Sequence, residues 1–217
     1  MSRVREVAAE AATDDPAHDV EHLLRVARMT LELGGTSVEP DEAIYAALLH
    51  DVVNLPKDHP ERHRASERSA ARARALLTEL GLPPERVGRI AEAIEDHSFS
   101  HGSRPRSPLG AALQDADRLE ALGALGIART FSTGVRLGAR YFDPEDPWAK
   151  ARPLDDRRYS VDHFFTKLLG LPATLCTAAG RRHAARRVRL LQRFLSALGD
   201  ELGCPLDERP RRRAQRG

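Results

Sequence analysis

Apolar residues in this chain recur at spacings of three and four, and no segment shows the apolar–polar alternation that a half-buried strand requires. His22, Val26, Met29 and Leu33 make one such stripe, ended by Gly34-Gly35. The next helix opens between Ser37 and Glu42, with Pro40 in its first turn and acids against the dipole. It is expected to run to Asp51 or Val53, because Pro56 cannot continue it. A third helix is predicted over 61–80, stopped at Gly81. A fourth opens at Pro83-Pro84 and carries Ile90, Ile94 and His97 on one face, and a fifth runs from Pro108 towards Ile127. Between Phe131 and Tyr159 the pattern is broken by Gly134, Gly138, Pro144, Pro147 and Pro153, which predicts an irregular excursion. Loops that long in compact domains are functional or disordered. Two more helices follow, near 160–169 and 172–202. The expectation is an all-α fold, one helical bundle with an irregular insertion near 131–159 and C-terminal helices.

Composition agrees. Aromatics are 5% of the 217 residues, and the apolar weight rests on Ala and Leu, which favours helix. At this length one domain with a substantial core is expected. A hydrophobic fraction of 41% with 30% charged residues is a globular balance. Of the 34 basic residues all but Lys57, Lys150 and Lys167 are arginine, yet 32 acids leave a net charge of +2. That balance argues against a generic nucleic-acid-coating protein, and no specific nucleic-acid binding is expected. Cys176 and Cys204 are far apart and unaccompanied, and read as reduced thiols. The charged N-terminal stretch lacks the apolar core of a signal peptide, and no run approaches a membrane helix. The expected location is the cytoplasm. Residues 1–15 read as an N-terminal extension, 16–203 as the domain, and 204–217 as a basic, disordered tail. No internal repeat and no glycine-rich phosphate loop occurs.

Nine histidines against two cysteines disfavour a disulfide scaffold and leave open a metal site of nitrogen and oxygen ligands. Ile44, Ala47 and Leu48 precede Asp51 at helical spacing, which places this acid on the buried face; His50 follows Ala43, Ala46 and Ala47 in the same way. His22 heads its own apolar stripe, and Asp117 lies four residues after Leu113 and eight after Leu109. A buried ionised acid is costly without a partner, and a divalent cation is an adequate one. Singly, each residue has a plain alternative: a core histidine bonded to a carbonyl, or an acid paired with an arginine. Four on three inward faces favour one shared cause.

His22, then His50-Asp51, then Asp117 resembles the H…HD…D signature of the HD-domain metal-dependent phosphohydrolases. The flanking text is similar to their YedJ/YpgQ-like bacterial branch: HDVEHLLRVARM at 18–29, AALLHDVVN at 46–54, AIEDHSF at 93–99 and LQDADRLEALGALGIAR at 113–129. DPEDP at 143–147 and RPLDDRRYSVDHFFTKLLGLP at 152–172 extend the likeness, which covers residues 17–202. The resemblance implies an all-helical HD domain over 16–203, with one divalent ion (Mg²⁺, Mn²⁺ or another transition metal) held by His22, His50, Asp51 and Asp117. Asp115 competes for the fourth position, but two residues apart on a helix means about 200° of rotation, so only one of the pair can face the ion. The family's Ala-Asp pair followed by a basic residue selects Asp117.

The implied reaction is attack of metal-bound hydroxide on a phosphoester or phosphoanhydride of a nucleotide, nucleoside triphosphate pyrophosphohydrolysis being one form. His97, on the Ile90–Ile94 face, is a candidate catalytic group that polarises substrate or protonates a leaving group; with His59 or His63 it could instead hold a second ion. Lys57, in the loop with Asn54 and His59, is a candidate catalytic phosphate contact. His18, one turn before His22, and Arg118, beside Asp117, are candidate substrate-binding residues, although Arg118 could instead pair with Glu120 or Asp115. His163 and Lys167 could present a cationic edge. The chain lacks a GYP motif, and VVNLPKDHPER lacks the Glu-Asp pair of certain (p)ppGpp hydrolases. The expected partner is thus a small-molecule phosphate, with no membrane. Rival readings are a di-iron HD-fold oxygenase and a catalytically silent nucleotide-binding module. The oligomeric state is left open.

Overall fold

A computed structural model describes residues 2–11, 19–53, 55, 59–98 and 104–206. His18, Lys57 and the tail beyond residue 206 lie outside them. Secondary structure is helical throughout the described residues except for one isolated parallel bridge between Arg140 and Tyr159. The chain divides into two compact units, Met1–Ala121 with Leu171–Ala184, and Leu122–Gly170 with Ala185–Gly217.

The first unit contains α1 (Ser2–Ala11), α2 (Val20–Gly34), α3 (Pro40–Leu49), α4 (Ala65–Glu79), α5 (Pro84–Asp96) and α6 (Pro108–Glu120). Sequence reading placed no element before residue 18, yet α1 buries Val4, Val7 and Ala8 and packs on α3. Its charges occupy the opposite face, and so hide the short apolar stripe. Asp19 caps α2 by accepting the His22 backbone N–H at 2.7 Å, which starts the helix three residues before the imidazole it must aim. Pro40, Pro84 and Pro108 occupy first-turn positions, as expected. The third predicted helix divides into a 3₁₀ turn, Arg62–Arg64, and α4.

Helix α2 packs along α6 and α3, and α5 packs on α3, α4 and α6. Val26, Ala47, Leu49, Leu77, Ile90, Ile94 and Leu113 fill the space between them. Each fully buried large aliphatic contributes about 1.5–3 kcal/mol. Two polar ties hold these helices, one joining the starts of α3 and α5 and one at the end of α5 that precedes His97. Glu42 on α3 is buried between Arg86 Nε at 3.1 Å and Arg89 Nη2 at 2.6 Å on α5. Burial alone would raise its pKa, but the two guanidiniums hold it below the usual value. At the other end of α5, buried Asp96 accepts from the Arg106 backbone N–H at 3.0 Å and from its Nη2 at 2.8 Å.

The second unit contains α7 (Gly123–Arg136), an irregular stretch, α8 (Asp162–Thr166) and most of α9 (Ala178–Glu201), whose first residues through Ala184 belong to the first unit. Three expectations need correction. The fifth helix does not reach Ile127: it ends at Glu120, and Gly123 at φ +78° starts a new helix. The irregular segment does not begin at Phe131, because α7 continues to Arg136 with Gly134 inside it. The reason is packing. A Cβ on Gly134 would stand 2.1 Å from Ser160 Oγ, so the glycine is an approach point rather than a helix breaker. The final helix begins at Ala178 rather than Pro172, which lies in a 3₁₀ stretch, Leu168–Thr174.

Around Phe131, Phe164 and Phe194 the rings gather with centroids 5.6–6.1 Å apart. The irregular stretch is held by side chains. Fully buried Asp162 accepts from Arg152 Nη2 at 2.9 Å, from its Nη1 at 2.5 Å and from the Asp155 N–H at 2.7 Å. The Arg152 guanidinium also lies 4.4 Å over the Tyr159 ring.

Candidate metal centre

Three helix segments of the first unit deliver the chemistry. His22 stands in the first turn of α2, His50 and Asp51 just past the end of α3, and Asp117 in the last turn of α6. At the end of α5, His97 joins them. A helix end lets neighbours such as His50 and Asp51 reach one point, which a helix interior would forbid. The His22 and His50 rings lie 5.4 Å apart, and those of His50 and His97 4.9 Å.

His22 Nε2 is 3.7 Å from Asp117 Oδ1, and His50 Nε2 is 4.0 Å from the same atom and 3.6 Å from Asp51 Oδ2. His97 Nε2 is 3.6 Å from Asp51 Oδ1. These separations exceed hydrogen-bond length. They match the spacing of ligands around a common ion, since two donors each about 2.1 Å from a metal stand about 3–4.2 Å apart. Among the described residues two groups could hold a metal: His22, His50 and Asp117, and His50, Asp51 and His97. The imidazoles of His22 and His50 are sealed, whereas the side chains of Asp51 and Asp117 are 27% and 32% exposed. The centre therefore opens on its carboxylate side.

The donor set fits a cation. His50 Nδ1 lies 2.7 Å from the Ala47 carbonyl, so the ring proton sits there and Nε2 carries a lone pair. That Nε2 is buried without a hydrogen-bond partner among the described residues, and it faces two carboxylates. Burial lowers the pKa of His50, with the Asp51 charge opposing and His97 assisting, so the ring is neutral. A lone pair aimed at carboxylates is repulsive unless a cation stands between them. His97 Nδ1 is likewise 2.5 Å from the Ile94 carbonyl. Burial works against its protonation, but the Asp51 carboxylate prevails and raises its pKa. Asp117 is held low against the effect of burial by His50 and His22.

Of the residues singled out from sequence, His22, His50, Asp51, Asp117 and His97 come together. Asp115 points elsewhere, accepting the N–H groups of Cys176 and Thr177. Arg118 is half-buried; its Nη1 donates to the Thr174 carbonyl at 2.7 Å, and burial lowers its pKa. His59 Nδ1 accepts from the Glu61 N–H, and His63 is exposed; neither belongs to the two metal-competent groups of the described residues. His163 pairs with Asp156 in the second unit. His18 and Lys57 fall outside the described residues.

Sequence reading missed the part played by Glu120 and Arg25. Glu120 Oε2 lies 3.6 Å from His22 Nδ1 and accepts from Arg25 Nε at 2.7 Å. The spacing held the signal: Arg25 follows His22, and Glu120 follows Asp117, by three residues on packed helices.

The HD domain family matches residues 19–122. The Bacillus subtilis protein YpgQ is 31% identical over 198 residues, covering 88% of this chain and 87% of YpgQ. Its crystal structure in complex with ADP superposes with a TM-score of 0.71 at 27% identity, covering 92% of this chain and 96% of that one. An HD-superfamily hydrolase from Bacillus thuringiensis gives a TM-score of 0.71 at 30% identity, covering 93% and 94%.

Proposed function

The chain belongs to the HD-domain family, and from that membership we propose that it is a metal-dependent phosphohydrolase acting on a nucleotide. The observation that carries this reading is His50 Nε2, a buried lone pair with no hydrogen-bond partner among the described residues, set between Asp51 and Asp117. Both metal-competent groups draw on this atom. With Nδ1 committed to Ala47, His50 has one lone pair to give, so the groups describe one ion rather than two. That shared donor favours a single ion over a two-iron oxygenase.

His22, His50, Asp51 and Asp117 would hold the ion; two imidazoles and two carboxylates suit Mn²⁺ or a similar divalent metal, with Mg²⁺ as the harder alternative. When bound, the ion supplies Lewis-acid polarisation of a phosphoryl oxygen and a water of lowered pKa. The Ala47 carbonyl keeps the His50 ring in one tautomer through this chemistry. His97, fixed at Nδ1 by Ile94, holds a proton at Nε2 beside Asp51 and can pass it to a leaving oxygen. Arg118, and beyond the described residues His18 and Lys57, would bind the substrate phosphates. The capture of ADP by YpgQ supports a nucleotide substrate. Cleavage of a triphosphate to release pyrophosphate is the finer form of the proposal.

The test is turnover of the metal-supplemented protein on nucleoside mono-, di- and triphosphates and phosphodiesters, beside Asp51→Ala. The expected result is activity in wild type alone, with about one metal per chain by elemental analysis. Equal rates in both proteins, or no turnover with any metal, would sink the proposal and leave a silent binding module. Separating pyrophosphate from orthophosphate identifies the bond that breaks.

A further inference from the structure

His22 is held between two acids from the same helix. Its Nε2 faces Asp117 at 3.7 Å and its Nδ1 faces Glu120 at 3.6 Å, and Asp117 and Glu120 lie one turn apart on α6. His22 is fully buried, and Glu120 is 5% exposed. Nothing in the proposed hydrolysis requires an acid at Glu120, and a carboxylate that deep is costly unless it has partners. Arg25, one turn after His22 on α2, is one such partner, donating Nε to Glu120 Oε2 at 2.7 Å. Two helices thus face each other as His22 and Arg25 against Asp117 and Glu120.

A neutral imidazole has one proton and one lone pair, so its two nitrogens cannot serve two carboxylates alike. If Nε2 gives its lone pair to an ion beside Asp117, the proton must sit on Nδ1. Glu120, 3.6 Å from Nδ1, is the acid on that side and closes by roughly half an ångström to receive it. Arg25 in turn holds the Glu120 carboxylate on this side of the ring by donating its Nε to it. We infer that Glu120, fixed by Arg25, is a positioning residue that sets the tautomer and orientation of His22 for metal binding. The inference rests on the metal reading above and adds residues that reading does not use. His50 reaches the same end differently, by donating to a main-chain carbonyl, so Glu120 is a side-chain counterpart of the Ala47 carbonyl.

The test is Mn²⁺ affinity of the metal-stripped full-length chain by calorimetry, with the His22 ring tautomer read by ¹⁵N NMR in the diamagnetic Mg²⁺ or Zn²⁺ form. Glu120→Ala is expected to weaken Mn²⁺ binding roughly tenfold to hundredfold and to remove the Nδ1–H signature. Glu120→Gln keeps an acceptor oxygen and should recover most of both. Arg25→Met, which leaves the acid in place, should weaken binding by a smaller factor. Affinity within about threefold of wild type in Glu120→Ala, with the tautomer unchanged, overturns the inference while leaving the metal reading intact. Failure of wild type to bind any divalent ion overturns both. If Glu120→Ala does not fold, Arg25→Met and Glu120→Gln decide the matter by the same two measurements: wild-type affinity in Arg25→Met overturns the inference, and so does loss of the tautomer signature in Glu120→Gln.

Discussion

Asp115 and Asp117 are separated on α6 by one residue and about 200° of rotation, and they meet different surroundings. Asp115 is fully buried where α6 meets the start of α9, and it accepts the Cys176 N–H at 2.8 Å, the Thr177 N–H at 2.7 Å and the Thr177 hydroxyl at 2.7 Å. Asp117 looks the other way, at two imidazole nitrogens 3.7 and 4.0 Å distant. One acid is saturated by donors and holds the segment just before α9, including Thr177, which caps that helix. The other faces the two imidazoles proposed as metal ligands, at distances no hydrogen bond spans. Asp162 repeats the first pattern in the second unit, with a guanidinium fork and a backbone N–H in its grip. Burial of a carboxylate therefore says little until the donors around it are examined.

The largest expected effect comes from breaking the saturated side. Asp115→Ala strands two backbone N–H groups and a hydroxyl, and should cost about 3–5 kcal/mol in urea unfolding of the metal-free protein. Asp117→Ala under the same conditions should cost less than about 1 kcal/mol, since this acid lies 3.7–4.0 Å from its imidazole neighbours rather than in hydrogen bonds. Equal losses would erase the distinction. With metal the order reverses in kind. Mn²⁺ at about one hundred times its dissociation constant should stabilise wild type by about 2.7 kcal/mol, reversibly with chelator, and should do nothing for Asp117→Ala. Wild-type stability that ignores the ion would break the comparison from the other side.

How much of this was legible beforehand follows from the same contrast. The helices that carry His22, Asp51 and Asp117 were readable because each acid or imidazole replaces an apolar residue in a periodic stripe. Asp117 was preferred to Asp115 through a family pattern. Geometry supplies the physical reason, which is that Asp115 is consumed by the loop before α9, sixty residues away in sequence and invisible to periodicity. Glu120 escaped for a similar reason, because its partners sit on another helix. The end of α6 and the course of α7 were misread because Gly123 acts as a turn and Gly134 as a contact, and sequence does not distinguish these uses. The stretch after Arg136 has no period at all, since Arg152, Asp162 and Tyr159 hold it by side chains rather than by a helical ladder.

A smaller effect sharpens the Asp115 side. Gly180 in α9 lies so close that a Cβ would stand 2.5 Å from Asp115 Oδ2 and 2.8 Å from Thr177 Oγ1. Gly180→Ala should cost about 1–3 kcal/mol as overpacking, although alanine is the better helix former. Gly88 in α5 has nothing within 4 Å of that position, so Gly88→Ala should gain about 0.5–1 kcal/mol. Matching signs for the two variants in thermal unfolding would show that Asp115 is not closely walled in.

The smallest effect concerns how a donor-saturated acid titrates. Asp143 has its pKa lowered from 3.8 to about 2, chiefly because the Tyr159 hydroxyl donates to it, with the Asp146 and Glu145 N–H groups adding to the effect. Between those two values the unfolded chain binds the proton that the folded chain refuses. The contribution of Asp143 to stability is therefore complete above pH 3.8 and lost as the pH falls through about 2. Carboxyl ¹³C NMR should place its midpoint at about 2 in wild type, and nearer the ordinary value in Tyr159→Phe, where the backbone donors remain but the hydroxyl is gone. An unshifted midpoint in Tyr159→Phe would assign the effect to those N–H groups alone. Asp143 would then be an acid saturated by main chain, as Asp115 largely is, and the side-chain networks of the irregular stretch would matter less to its charge than to its shape.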